Sequence, residues 1–178
     1  MTKRISISLC SAVAMFLHIG PGQSVELGLT PSHVVGLWSN VNDCVDAAVK
    51  SVAKKQGLDA QVSAISLDSF EGKKPSHVLG KVAVVRDKID KLRKKAGLGK
   101  VAVFKNPDGK ITPSVVYLNS GHVLDGLADW VARNASSGQL VADCYRAKKF
   151  SGKTPSHAFG MVDLANRRLD LVLAALAH

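Results

Sequence analysis

Aromatic residues make up only 5% of this 178-residue chain. A buried core must therefore come chiefly from Val, Leu and Ala. Cysteine is scarcer still, with three residues, and no CxxC, CxxCH or zinc-ligand spacing among them. The signatures of dithiol redox sites, haem attachment and zinc modules are thus missing. Acidic side chains are few, 14 against 24 basic ones. No GxSxG nucleophile context occurs, and no acid–base or cofactor motif stands out. Neither a cofactor nor a metal is expected, and the chain does not read as an enzyme.

No apolar run is long enough to span a bilayer comfortably, which takes about 20 residues. The longest, residues 5–19, follows Lys3 and Arg4 and precedes small residues near Gly22 and Ser24. That order reads as a secretory signal peptide over 1–24, leaving a mature domain of 25–178. A buried first helix or an uncleaved anchor is the alternative. Cys10 follows Leu9, too large for a lipoprotein cleavage site, so no lipid anchor is expected. The domain is expected to be periplasmic or secreted. There Cys44 and Cys144 would form one disulfide, two buried free thiols being the alternative.

What the sequence does have is one phrase four times: Thr30-Pro31-Ser32-His33, Lys74-Pro75-Ser76-His77, Thr112-Pro113-Ser114-Val115 and Thr154-Pro155-Ser156-His157. Thr suits an N-cap and Pro suits the first helical position, where its missing N–H costs nothing. Apolar residues follow at helical spacing, for example Val78, Val82, Val85, Ile89 and Leu92. The third copy fits least well, placing Ser120 where the others carry apolar residues. The prolines recur 44, 38 and 42 residues apart, which points to repeats of one supersecondary unit. The expected fold is all-α, a bundle of four repeated amphipathic helices, each opened by a (T/K)-P-S-(H/V) motif and joined by connectors of 15–20 residues.

The helices are expected over 31–56, 75–96, 113–134 and 155–177, with a strand-like piece at 101–104. An up-and-down bundle is the commoner form and is the expected topology. In the alternative, connectors return along the bundle and gather all four N-termini at one end. The repeated leads Phe70-Glu71-Gly72-Lys73 and Phe150-Ser151-Gly152-Lys153 keep that alternative open.

Charge is uneven. Between residues 73 and 110 there are twelve Lys and Arg against three Asp. Lys81, Arg86, Lys88, Lys91, Arg93, Lys94 and Lys95 form the candidate partner-binding face on the second helix. A basic face attracts a partner protein or an anionic envelope component and allows peripheral membrane contact. The alternative is a solvated face. Nucleic acid is not expected, because the stretch lacks interleaved aromatics.

The leading expectation is an exported, non-catalytic scaffold working through that basic face. The second is a small-ligand or metal-binding module at the repeated His33, His77 and His157 and Gly36, Gly80 and Gly160. Against it, His in a first turn more commonly bonds a local backbone group, and the glycines suit close approach of neighbouring chain. Five acid-first pairs four residues apart (Asp46–Lys50, Asp87–Lys91, Asp90–Lys94, Asp129–Arg133, Asp163–Arg167) read as surface salt bridges rather than catalytic carboxylates.

Overall fold

The computed structural model describes residues 26–52, 57–107, 109–135, 138–146 and 148–177. The expected signal peptide lies outside them. Six helices make up the regular structure of the described residues: α1 (Pro31–Ser51), α2 (Leu58–Ser63), α3 (Pro75–Lys95), α4 (Pro113–Asn134), α5 (Gln139–Asp143) and α6 (Pro155–Ala175). Among the described residues there is no strand, and 101–104 is irregular chain.

Each long helix starts as its sequence dictates. Thr30, Lys74, Thr112 and Thr154 are extended N-caps, with φ between −107° and −112°, and Pro follows at the first helical position. At the other end, α3 stops in a Schellman turn. Gly97 takes φ +70°, its N–H donates to Lys94 O, and the Leu98 N–H donates to Arg93 O at 2.9 Å. Glycine enters that left-handed conformation without a Cβ penalty.

Helix α1 packs against α4 and α6, and α3 packs against the same two. The order around the bundle is therefore α1, α4, α3, α6. Pro31, Pro75, Pro113 and Pro155 line a single shallow depression with Val34, Val78, Val116 and Ala158. All four long helices thus begin at one end and run parallel, not up and down. The connectors make this possible by travelling back along the outside. Helix α2 lies against α1 and α6, and α5 lies against α1 and α4. Residues 101–104 climb α4, with the Val101 N–H bonded to Asp90 of α3.

The core is stacked in register. The residues three, seven, ten, fourteen and seventeen positions after the four prolines are all buried. In the layer seven positions after the prolines, a large residue faces a small one. Trp38 of α1 meets Ser120 of α4, its Nε1 donating to Ser120 Oγ at 2.8 Å. The poor match of Ser120 to the apolar pattern is therefore a packing complement to Trp38. Cys44 of α1 and Cys144, just after α5, are both fully buried and joined as a disulfide with S–S 2.21 Å. That bond pins the connector between α4 and α6 to α1.

Candidate functional site

Helix α3 carries all seven basic residues expected to form a partner-binding face, but most of them turn to neighbouring helices. Lys81 Nζ lies 2.9 Å from Asp163 of α6 and over the Phe159 ring. Lys88 reaches Asp170 at 2.6 Å and the Asn166 carbonyl at 2.9 Å, both on α6. Arg93 donates to the Gly99 and Gly126 carbonyls and pairs with Asp129 of α4 at 2.9 Å. Arg86 makes a loose pair with Asp87 at 3.8 Å. Lys95 donates to Leu176 O and so caps the C-terminal end of α6. Only Lys91 and Lys94 have no such bond among the described residues.

Lys91, Lys94 and Lys95 nevertheless come together. With Leu173 and Ala174 of α6 they line an open groove between the C-terminal ends of the two helices. An apolar floor with ammonium groups on one wall suits an anionic or amphiphilic partner. The helix dipole adds nothing repulsive there, since cations sit favourably at a helix C-terminus.

The three histidines have a local job. His33 Nδ1 accepts the Thr30 N–H at 3.0 Å, His77 Nδ1 accepts the Lys74 N–H at 3.1 Å, and His157 Nδ1 accepts the Thr154 N–H at 3.1 Å. Each imidazole occupies the third helical position, where Glu or Gln completes a capping box. With the Nδ1 lone pair committed to a backbone donor, the ring proton of the neutral form sits on Nε2. That leaves a donor rather than a metal-ligating lone pair facing outward. Val115 takes this place in α4. There Thr112 Oγ1 accepts the Val115 N–H, at 3.4 Å.

The acid-first pairs are only partly formed. Asp129–Arg133 closes to 3.7 Å and Asp163–Arg167 to 2.9 Å. Two other acids serve another element, Asp46 pairing with Arg168 of α6 at 3.4 Å and Asp90 accepting the Val101 N–H, while Asp87 pairs loosely with Arg86 on its own helix. Burial pushes the Asp46 carboxyl above its ordinary range against the pull of Arg168. Asp46 also borders a corner beside the disulfide with Asp43, Lys50, Asp143 and Arg146. In that corner, hydrogen bonds from Gln139 and Arg146 hold Asp143 below the usual carboxylate value.

The serines after the prolines do more than fill a first turn. Ser32 Oγ accepts the Lys153 N–H at 3.0 Å, and Ser156 Oγ accepts the Lys73 N–H at 3.1 Å. Ser114 Oγ accepts the Leu27 N–H at 3.1 Å and donates to Glu26 at 2.7 Å. Thus the lead into α6 is tied to α1, that into α3 to α6, and that into α1 to α4, circulating in one sense. Sequence reading missed these ties, although the repeated Ser and Phe-x-Gly-Lys were their visible signal. Two glycines lie under the ties. A Cβ on Gly36 would stand 3.1 Å from Lys148 O, and one on Gly160 would stand 2.9 Å from Asp68 O. Among the described residues, no helix is long and apolar enough to cross a membrane, and no group of three or more His, Cys, Asp or Glu is placed to hold a metal ion.

Comparison of the chain with protein-family models, with curated proteins and with solved structures found no match.

Proposed function

We propose that the four long helices are copies of one unit, assembled into an exported, non-catalytic scaffold that engages a partner protein or an anionic envelope surface. The observation that carries this reading is the groove of Lys91, Lys94 and Lys95 over Leu173 and Ala174. Its lysines stand at the bundle's C-terminal end, whereas Lys81, Lys88 and Arg93 hold α3 to α6 and α4. The working basic face is accordingly smaller than the run of charge in the sequence. The buried Cys44–Cys144 disulfide fits an oxidising compartment.

The test is a triple charge reversal, Lys91→Glu, Lys94→Glu and Lys95→Glu, in the mature protein. Sedimentation with phosphatidylglycerol vesicles and cross-linking in the native host are compared with wild type, with circular dichroism to verify folding. Loss of vesicle binding or of one specific cross-linked partner, with the fold intact, supports the groove. Undiminished binding in both assays overturns it. The mass of the protein purified from its host tests export, because removal of residues 1–24 is expected.

A further inference from the structure

We propose that a flank of α3, formed by Ser76, Gly80 and Val84, is a docking slot for an extended segment of a partner protein. The segment it fits carries an aromatic residue two positions before a glycine and a basic residue directly after that glycine. This site lies toward the N-terminal end of α3 and shares no residue with the lysine groove, so it stands or falls separately.

The same slot occurs twice more in the molecule, filled. One, five and nine positions after Pro155 stand Ser156, Gly160 and Leu164. Ser156 holds the Lys73 N–H, and Gly160 lies under Asp68 O with the Phe70 ring 3.6 Å from where its Cβ would be. Leu164 is 7% exposed. At the matching positions after Pro31, Ser32 holds the Lys153 N–H, and Gly36 lies under Lys148 O and the Phe150 ring. The occupants share one pattern, Phe70-Glu71-Gly72-Lys73 and Phe150-Ser151-Gly152-Lys153, with both glycines left-handed at φ +65° and +64°. A serine to hold a backbone N–H and a glycine to admit the chain thus make a receptor for this segment.

On α3 the receptor is complete, and no occupant lies on it among the described residues. Among the described residues, the exposed Ser76 hydroxyl makes no hydrogen bond and nothing stands within 4 Å of a Cβ on Gly80. Val84 is 46% exposed where its α6 counterpart Leu164 is covered. Following the circulation of the other leads, the chain before α4 would fill this slot. It is held on α4 instead. The Phe104 N–H donates to Asn119 Oδ1 and its carbonyl accepts from Asn119 Nδ2, both at 3.2 Å. It also lacks the pattern, since Gly109 stands four rather than three positions before its proline. A second copy of this chain is a poor donor, because its two Phe-x-Gly-Lys segments already fill slots of their own. The occupant is therefore a segment of another protein.

Tethered occupants act at effective concentrations of about 1 mM, so a free peptide should bind weakly and be titrated to several times that level. The probe is the peptide Ser-Leu-Asp-Ser-Phe-Glu-Gly-Lys-Lys, residues 66–74 of this chain, added to isotope-labelled disulfide-intact protein and followed by amide NMR. Saturable shifts are expected around Ser76, Gly80 and Val84, unchanged in the Lys91→Glu, Lys94→Glu, Lys95→Glu variant. Gly80→Leu, which points into open space and should fold normally, should weaken binding at least tenfold. A peptide with Ala in place of its Phe should do the same. No saturable shift, shifts centred on Ser32 or Ser156, or binding indifferent to Gly80→Leu would each overturn the proposal. So would self-association that disappears in Gly80→Leu, since the occupant would then be a second copy.

Discussion

Trp38 Nε1 and Ser120 Oγ meet at 2.8 Å, each seven positions after the proline that opens its helix. The equality of the two offsets is the signature of parallel, in-register helices. Replacing Ser120 by Ala should leave the fully buried Trp38 indole N–H without an acceptor. An orphaned buried donor costs about 1–3 kcal/mol. The expected result is a lower urea midpoint with an unchanged m-value, and altered tryptophan emission. A midpoint equal to wild type would show that the bond adds nothing.

Three glycines at one offset should respond differently to the same change. Gly160→Ala forces a methyl group against Asp68 O at 2.9 Å and should destabilise, and Gly36→Ala, with 3.1 Å to Lys148 O, should do so less. Gly80→Ala meets nothing within 4 Å among the described residues and should stabilise by about 0.5–1 kcal/mol through helix propensity. Thermal unfolding of the three variants side by side decides the matter. A uniform sign would refute the assignment of Gly36 and Gly160 to close approach.

The histidine caps can be tested by substitution and rescue. His157→Ala removes the acceptor for the Thr154 N–H and should cost roughly 0.5–2 kcal/mol, the usual range for a lost N-terminal cap. His157→Glu should recover most of that, because Glu at this position completes the ordinary capping box and favours the helix dipole. A Glu variant as unstable as the Ala variant would point to ring packing rather than capping.

Reduction tests the covalent tie. The Cys44–Cys144 bond closes a separation of 100 residues, for which the chain-entropy model gives about 4–5 kcal/mol. A paired Cys44→Ala, Cys144→Ala variant should unfold at markedly lower denaturant than the oxidised protein. It should also match the wild type measured with reductant.

Tyr145 donates to Asp125 Oδ1 at 2.9 Å, and desolvation together with that carboxylate pushes the phenol up to about 12. The fold therefore favours the neutral phenol. Its contribution is whole below the ordinary value of 10.0 and is lost as pH rises through about 12. Ultraviolet titration should show a late-ionising tyrosine that returns toward the ordinary range in Asp125→Ala. A titration in which no tyrosine ionises later than the ordinary value of 10.0 would remove the basis for this contribution.

The starts of the four long helices were legible to the residue, because Thr or Lys, then Pro, has one sensible backbone conformation at a helix start. Direction was not. A connector of 15–20 residues is long enough either to wander or to run back along a helix, and only bonds such as Lys153 to Ser32 decide between them. The short helices α2 and α5 carry too few residues for a period to show. The candidate site suffered from a related blindness. Lys88 and Lys91 look alike in sequence, yet one faces Asp170 and the other solvent, because relative helix rotation decides which flank of the apolar stripe is covered. Pairing Asp90 with Lys94 followed helix-surface rules, while the structure commits Asp90 to the Val101 N–H of the returning chain.

The parallel arrangement has a kinetic consequence. Of the four long-helix interfaces, only α3 with α4 joins successive long helices. The other three bring together segments distant in sequence, so native contacts cannot accumulate hairpin by hairpin. Loop closure must be completed before most of the core gains anything, which raises contact order well above that of an up-and-down bundle. This all-helical chain should therefore fold at a rate nearer to that of mixed α/β domains than to other helical bundles of its size.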